Sequence, residues 1–125
     1  MKKLVLLAAA TAALSACTST PGPMVEAGYP AGSLALAAIE RGDWATAERL
    51  LTDDRRIAAD DPARLVNLGR VYMATGRQEL ALDAWRRALA SPPVEVETLG
   101  GRLVMTDQLA REAIAFYATV QTAAR

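Results

Sequence analysis

The spacing of apolar residues predicts helices over most of the chain from residue 31 onward. In four successive stretches, apolar side chains recur every three or four positions, which places them on one face of an α-helix. The four faces consist of Leu34, Ala35, Ala38 and Ile39; of Ala47, Leu50, Leu51, Ile57 and Ala58; of Leu65, Leu68 and Tyr72; and of Ala81, Ala84, Trp85, Ala88 and Leu89. We therefore expect four helices that each bury one side, the second extending through Ala58.

Local start and stop signals divide these helices. Gly42-Asp43 ends the first helix, and its aspartate is a suitable N-cap for the second. Asp61-Pro62 predicts the start of the third helix, with aspartate as N-cap and proline at the first helical position. Gly76 closes the third helix, and Pro92-Pro93 stops the fourth.

The last third of the chain has a weaker pattern. Residues 93–103 are interpreted as a short helix weakened by Gly100-Gly101. Thr106 or Asp107 is suited to cap a last helix that runs to about Thr122. The buried stripe of that helix is predicted to be Leu109, Ala113, Ile114, Tyr117 and Val120.

The helical pattern repeats every 34 residues. The matched pairs are Gly42 and Gly76, Ala47 and Ala81, Leu51 and Trp85, Leu34 and Leu68, Ala35 and Gly69, and Ala38 and Tyr72. A 34-residue period with two helices per unit resembles the tetratricopeptide repeat. The second unit carries much of that family's pattern: Leu65, Leu68-Gly69, Tyr72, Gly76, Ala81, Trp85, Ala88 and Pro93. The first unit departs from it at Ala38, where the family has an aromatic residue, and at Asp54, where the second unit has Ala88.

The resemblance implies an all-α fold, a short right-handed α-solenoid of antiparallel helix pairs with about two and a half repeats. The domain would span residues 31–125, with repeats at about 31–61 and 62–95 and a degenerate third unit with a capping helix at 96–125. Small residues, such as Gly69, are expected where the two helices of a unit touch. Trp85 falls on the core stripe and is expected to pack there, whereas both packing and an interface role are open for Trp44.

Residues 1–16 resemble a bacterial lipoprotein signal peptide. Lys2-Lys3 precedes an apolar run, residues 4–14, that is too short for a membrane-spanning helix of about 20 residues. Leu14-Ser15-Ala16-Cys17 is similar to a lipobox, which implies cleavage before Cys17 and acylation of that residue. The alternatives are an ordinary secretory signal, or an apolar N-terminal helix whose cysteine is accidental. Cys17 is the only cysteine, so its acylation would leave no thiol for a disulfide.

Residues 17–30 are predicted to be a lipidated N-terminus followed by a tether. The stretch Thr18-Ser19-Thr20-Pro21-Gly22-Pro23 contains turn and polyproline residues without an apolar period. Thirteen extended residues reach at most roughly 40–45 Å. The lipobox resemblance implies a lipid-anchored protein of the bacterial cell envelope, and Thr18 in place of Asp points to the outer membrane, facing the periplasm.

Composition and charge argue against several classes of function. Beyond residue 16 the chain has twelve arginines, no lysine and fourteen acidic residues, unlike the basic footprint of a nucleic-acid binder. The absence of histidine removes the commonest general base and metal ligand. Asp53-Asp54 is most simply part of a solvated face and Asp60-Asp61 a helix start. We therefore expect no enzymatic activity, no cofactor, no metal and no small-molecule substrate.

The resemblance also places a candidate binding site on the inner face of the array. In this family the first helix of each unit lines a concave groove, which implies groove positions for Val66, Asn67, Arg70 and Met73. Asn67 and Arg70 are three residues apart and so share a helical face. An amide and a guanidinium together can hold a peptide main chain and a carboxylate. An asparagine here can also bond to the neighbouring unit, and the first unit offers Ser33 and Leu36 instead of this pair.

Together these features favour a protein-binding adaptor or assembly factor, held to a membrane through Cys17 and working in an envelope complex of the pilus, secretion or outer-membrane biogenesis type. The alternative is an obligate structural subunit, or a self-associating helical protein, that completes its fold in a complex. Two and a half units are near the minimum for a stable array, so an exposed apolar edge would then pair with a partner.

Overall fold

The computed structural model describes residues 28–98 and 100–124. Within these ranges the helices are α1 (Leu36–Glu40), α2 (Trp44–Asp53), α3 (Pro62–Ala74), α4 (Gln78–Ala90) and α5 (Thr106–Ala123), and the strands are β1 (Glu95–Glu97) and β2 (Leu103–Met105). Most described residues are helical and successive helices pack on one another, which confirms the all-α prediction in this coarse form. The predicted signal peptide, Cys17 and the tether up to residue 27 lie outside the described residues.

The predicted starts of α2 and α3 are confirmed by their capping bonds. The Asp43 carboxylate accepts a hydrogen bond from the Thr46 backbone N–H at 3.2 Å. The Asp61 carboxylate accepts one from the Arg64 backbone N–H at 3.0 Å, and Pro62 is the first residue of α3. Each bond satisfies one of the N–H groups that a helix start leaves without an intrahelical partner.

Helices α3 and α4 form an antiparallel hairpin. The Trp85 indole N–H of α4 donates to the Val66 carbonyl of α3 at 3.2 Å. At the far end, the Ser91 hydroxyl donates to the Asp60 carbonyl just before α3 begins. Gly76 turns the chain between the two helices with φ +77°, which a residue with a side chain rarely adopts.

Buried apolar side chains of the described residues form three clusters. The first, formed by Ala35, Ala38, Ile39, Ala47, Leu51 and Val71, joins α1 and α2 to α3. The second, formed by Leu65, Ala81, Trp85, Ala88 and Ala110, joins α3 and α4 to α5. The third, formed by Leu34, Ile57 and Ala63, lies beside Tyr29, Leu36, Val94 and Val96. The chain that precedes α1 and the strand segment therefore pack on the same part of the core.

The first two helices are shorter than the sequence pattern predicts. Helix α1 begins at Leu36 because Ala35, just before it, adopts the left-handed conformation with φ +57°. Helix α2 ends at Asp53, so the prediction that it extends through Ala58 is wrong. Helix α2 can end here because the Arg64 guanidinium donates hydrogen bonds to the backbone carbonyls of Thr52, Asp54 and Ile57. These carbonyls would otherwise lack a partner at the end of the helix.

The helix predicted over residues 93–103 is also wrong, because this segment is a β-hairpin. Strands β1 and β2 pair antiparallel with Val96 opposite Val104, and both side chains face the core. Glu95 and Glu97 alternate with the valines and are exposed. Gly101, with φ +77°, donates its N–H to the Thr98 carbonyl at 2.8 Å in the turn. The alternating valines and glutamates and the glycine turn are both compatible with a hairpin.

Helix α5 has the predicted length and, apart from Val120, the predicted buried stripe, but it starts differently. Neither Thr106 nor Asp107 caps it; the N-cap is Met105, without a side-chain capping bond. The Thr106 hydroxyl is buried and accepts from the Val94 N–H at 3.1 Å, which joins the helix start to the chain entering β1. Of the predicted stripe, Leu109, Ala113, Ile114 and Tyr117 are half-buried, and the last three pack on the second core cluster. Val120 is 48% exposed, and Ala110, which was not predicted, is fully buried.

Candidate functional site

A groove runs between α3 and α5. We define the groove as two adjoining cavities of about 430 Å³ and 670 Å³ that share Arg70, Trp85 and Ala113. The first cavity is bounded by the chain before α1, by α3, by the β-hairpin and by the first half of α5. The second lies between α3 and the second half of α5. Both walls are mainly apolar, which suits a macromolecular segment with apolar side chains.

The four residues predicted to face a groove all line it. Val66, Asn67 and Arg70 line the first cavity, and Arg70 and Met73 line the second. They come together because their spacing in α3 places them on one side of the helix. Their role in binding a ligand stays a prediction.

The Asn67 amide is already engaged within the protein. Its Nδ2 donates to the Leu34 backbone carbonyl at 2.9 Å, across the boundary between the two predicted repeats. This is the second of the two roles that the sequence leaves open for Asn67. One of its two amide N–H donors is therefore occupied by the fold, and the predicted pairing of Asn67 with Arg70 as equal ligand contacts loses part of its basis.

The Arg70 side chain is exposed, and no other described residue forms an ion pair or a hydrogen bond with its guanidinium. Among the described residues, Glu97 is the other charged residue lining the first cavity, and it forms no ion pair with Arg70. In the second cavity Arg70 is the charged residue of the described lining. The groove thus presents the Arg70 cation between apolar walls and, in the first cavity, the Glu97 carboxylate as well.

Helix α5 supplies an apolar wall that the sequence analysis assigned only in part. Leu109, Ala113, Phe116 and Val120 line the groove at spacings of four, three and four residues. Phe116 is 73% exposed. The helical spacing of these four residues indicates a shared face. Phe116 lies outside the stripe predicted to be buried, and its place in the wall was therefore not predicted.

Trp85 forms the floor of both cavities and confirms the packing role predicted for it. Its indole is 5% exposed and lies directly against Gly69. A Cβ added to Gly69 would stand 2.2 Å from the indole Nε1, so this close approach requires glycine. Trp44, by contrast, is half-buried against the first core cluster and lines neither cavity.

Two arginines that the sequence analysis did not single out join parts of the fold outside the lining of the groove. The buried Arg64 holds the chain between α2 and α3 through its three carbonyl bonds. The Arg77 guanidinium binds both oxygens of the Glu48 carboxylate at 2.7 and 2.6 Å and lies 4.7 Å from the centre of the Tyr72 ring. The Arg77 hydrogen bonds hold the pKa of Glu48 below its usual value. Both arrangements depend on partners distant in the chain.

The acidic pairs singled out in the sequence have structural partners. The Asp54 carboxylate binds Arg56 at 2.6 Å, and hydrogen bonds from Arg56 lower the Asp54 pKa to about 2. Asp61, the N-cap of α3, also accepts a hydrogen bond from the Tyr29 hydroxyl at 3.1 Å. Burial and the neighbouring Asp61 raise the pKa of Tyr29 to about 12. Residues 28–98 and 100–124 contain no group of three acidic, histidine or cysteine side chains arranged to hold a metal ion.

No family model, curated protein or solved structure matches this chain. The likeness to the tetratricopeptide repeat is therefore carried by the residues that recur 34 positions apart. In the part of the chain that the structure describes, no helix combines the length and the apolar character needed to cross a membrane.

Proposed function

We propose that this chain is a lipid-anchored, periplasm-facing protein that binds another protein through the groove, as an adaptor or assembly factor of an envelope complex. The observation that carries the proposal is the groove itself: apolar walls from α3 and α5 surround an exposed Arg70 without an ion pair in the described structure. An exposed apolar surface around a polar anchor is typical of a site that binds a peptide or a helix.

Contacts between distant parts of the chain support a tetratricopeptide-like arrangement. The Asn67–Leu34 and Arg77–Glu48 bonds link the proposed first and second units. Helix α5 packs on α4 and on α3, as the first helix of a following unit would. The third unit differs from the family pattern, because the β-hairpin precedes α5. We therefore propose two units, a hairpin insertion and a closing helix that forms one wall of the groove.

The proposed mechanism is binding to a preformed surface near a membrane. The backbone of the groove is fixed by helix packing and by buried hydrogen bonds, so little conformational entropy is lost when a partner binds. Lipid on Cys17 would concentrate the groove at the membrane and raise its effective affinity for a membrane-bound partner without a new contact. Apolar side chains of the partner would cover Phe116 and Met73, and a carboxylate would pair with Arg70.

In-cell crosslinking of the C-terminally tagged full chain tests this function. The wild type is compared with Arg70→Ala and with Arg86→Ala, whose exposed arginine lies on α4 and lines neither cavity. Cys17→Ser tests the anchor in the same experiment. Arg70 is preferred to Asn67 as the site of change because removal of Asn67 would also remove the bond to Leu34.

The proposal expects a defined envelope protein that crosslinks to the wild type and to Arg86→Ala, and at least tenfold less to Arg70→Ala. Mass spectrometry should find the wild type beginning at an acylated Cys17, and Cys17→Ser should lack the acyl group. A partner captured equally by Arg70→Ala would move the binding site away from the groove. An unmodified Cys17 in the wild type would contradict the lipid anchor.

Exposed apolar side chains favour a second candidate, the obligate subunit or self-associating protein. Phe116, Leu103 and Val120 are 73, 62 and 48% exposed. A second copy could cover them, because exposed apolar edges of short repeat arrays pair readily. Sedimentation of the purified protein tests this candidate: a dimer that becomes a monomer in Phe116→Ser supports it, and a monomer at all concentrations contradicts it.

A further inference from the structure

We propose that, in the absence of a partner, the groove is occupied by the protein's own tether, with Met24 and Val25 on its apolar walls and the Glu26 carboxylate paired with Arg70. This inference rests on the groove of the proposed function and adds an intramolecular competitor to it. Residues 24–26 lie just outside the described part of the chain, which begins at Gly28.

The described chain begins at the edge of the groove. Tyr29 packs beside Leu34, Leu36 and Ala63, and these three residues also line the first cavity. The Tyr29 hydroxyl donates to the Asp61 carboxylate at 3.1 Å, which fixes the side chain at the start of α3. The residues that precede Tyr29 therefore leave the described structure next to the first cavity.

The tether is long enough to bring Glu26 to Arg70. Arg70 follows Asp61 by nine residues in α3, a distance of about 13.5 Å along the helix axis. Glu26 precedes Tyr29 by three residues, which span up to about 10 Å when extended. The Glu26 and Arg70 side chains cover the remaining distance. Pairing at Arg70 would place Val25 and Met24 beside Ala113 and Trp85, which line both cavities.

Charge complementarity favours residues 24–26 as the segment that occupies the groove. Glu26 is the only acidic residue before Glu40 in the sequence, and it directly follows two apolar residues. Arg70 is the exposed cation of the groove and has no ion pair with a described residue. An ion pair at an exposed site is weak by itself. The apolar contacts of Met24 and Val25 with the groove walls would add to it, because apolar side chains gain when they leave water.

Occupation of the groove by the tether would have two consequences for a lipid-anchored protein. A partner would have to displace a segment whose effective concentration is on the order of millimolar, so its apparent affinity would fall. The free tether would also shorten from residues 18–30 to residues 18–23, which span at most about 20 Å. Partner binding would then release the tether and let the domain reach further from the membrane.

Disulfide trapping in the full chain, expressed in cells, tests the proposal. Val25→Cys is combined with Ala113→Cys, which lies in the groove, and separately with Ala115→Cys, which lies on an exposed part of α5 and lines neither cavity. The fraction of bonded thiols is measured by alkylation and mass spectrometry, which also identifies the partner of each thiol. The pair is then combined with Glu26→Arg, with Arg70→Glu and with both.

The proposal expects an intrachain disulfide for the groove pair and at most background for the Ala115→Cys pair. Each charge reversal should lower the bonded fraction about threefold, and the double reversal should restore it. No intrachain bond above the control overturns the proposal, and so does a bond that forms between two chains. A bonded fraction that is equal in all charge variants overturns the Glu26–Arg70 pair.

Partner capture distinguishes this inference from the proposed function. Glu26→Gln removes the competing charge and should raise capture of the crosslinked partner about threefold, whereas Arg70→Ala should abolish it. Loss of capture in Arg70→Ala without any intrachain disulfide would retain the groove as a partner site and overturn tether docking. An intrachain disulfide with capture unaffected by Arg70→Ala would retain tether docking and overturn the proposed function.

Discussion

The buried guanidinium of Arg64 is the residue on which the chain between α2 and α3 depends. Its Nη1 donates to the carbonyls of Asp54 and Ile57 at 3.0 Å, and its Nη2 donates to the Thr52 carbonyl at 2.9 Å. A charged donor can satisfy three carbonyls from one fixed fork, which an apolar side chain or a lysine cannot reproduce. Arg64 therefore ends α2 from a position eleven residues beyond Asp53, the last residue of that helix.

We expect Arg64→Met to destabilise the protein by about 2–4 kcal/mol, because three carbonyls lose a charged donor while the packing volume is largely kept. The stability of Arg64→Lys should lie between that of Arg64→Met and that of the wild type. Urea unfolding followed by circular dichroism measures the change. Arg55→Met, at an exposed arginine, is the matched control and should leave the midpoint unchanged. A midpoint for Arg64→Met within error of the wild type would show that water replaces the guanidinium.

The substitution Gly69→Ala tests whether α3 and α4 approach each other as closely as the structure indicates. At an ordinary helix position, glycine to alanine is stabilising by about 1 kcal/mol. Here the new Cβ would lie 2.2 Å from Nε1 and 2.5 Å from Cδ1 of Trp85. The indole cannot move away without losing its bond to the Val66 carbonyl. We expect Gly69→Ala to cost about 1–3 kcal/mol by overpacking.

A double-mutant cycle with Trp85→Phe measures this clash. The smaller ring should accept the alanine, so Gly69→Ala should cost less in the Trp85→Phe background than in the wild type. Thermal unfolding of the four proteins supplies the values. A more stable Gly69→Ala single variant would mean that the two helices lie further apart.

At the scale of helices and strands, local signals were sufficient to predict the starts of α2 and α3. Asp43 and Asp61-Pro62 act within one helical turn, so their effect does not depend on the rest of the fold. The end of α2 was not predictable in this way, because Arg64 comes from another helix. The same reasoning applies to the site: the shared face of Val66, Arg70 and Met73 follows from helical spacing.

The β-hairpin was missed although its sequence carries a signal. Val94, Glu95, Val96 and Glu97 alternate between apolar and acidic residues, as in a strand with one buried face. The run is short, and Gly100-Gly101 is compatible with both a broken helix and a turn. The bond between Thr106 and Val94 joins both ends of the hairpin, and it becomes visible only in three dimensions. Tertiary contacts therefore decide between the two interpretations.

The bidentate bond between Glu48 of α2 and Arg77 joins the proposed repeats. We expect a double-mutant cycle of Glu48→Gln and Arg77→Met to show favourable coupling that weakens in high salt and below pH 4. The loss in acid follows because the Arg77 bonds lower the pKa of Glu48 in the folded protein. Their contribution to stability is complete above the pKa of Glu48 in the unfolded chain. It is lost as the pH falls and the carboxylate becomes protonated in the folded protein.

The exposed pair Asp83–Arg87 is the control for this cycle. Its closest charged atoms are 4.0 Å apart, and both side chains are at least half exposed. Its coupling should be close to zero by thermal unfolding. A coupling for Glu48 and Arg77 no larger than that of the control would mean that apolar packing alone joins the two units.

For the whole molecule, the decisive geometry is where the chain enters the domain. Tyr29 and Asp61 join the entering chain to the start of α3, beside the first cavity. This contact helps to set the distance from the tether to the groove, together with the bond between Asn67 and the Leu34 carbonyl. The strength of the contact between Tyr29 and Asp61 therefore affects both the docking of the tether and the stability of the domain.

From the contact between Tyr29 and Asp61 we expect the protein to lose stability at alkaline pH. Burial and Asp61 raise the pKa of Tyr29 from 10.0 to about 12. The contribution of the Tyr29 hydroxyl to stability is complete below pH 10 and is lost between pH 10 and 12. In that range the tyrosine ionises in the unfolded chain, while in the folded protein it keeps its proton. The shift corresponds to ~2.7 kcal/mol, and we expect about 1 kcal/mol because Tyr29 is only partly buried and solvent screens Asp61.

Urea unfolding at pH 9, 10, 11 and 12 measures this loss. Tyr29→Phe retains the ring but has no ionisable hydroxyl, so its stability should be lower than that of the wild type at pH 9 and should approach it at pH 12. Since a phenylalanine keeps the apolar contacts with Leu34 and Ala63, the difference between the two curves reports the hydroxyl group, through its burial and its bond to Asp61 together. Parallel curves from pH 9 to pH 12 would mean that the Tyr29 hydroxyl is neither buried nor bonded to Asp61, and that the entering chain is not held there.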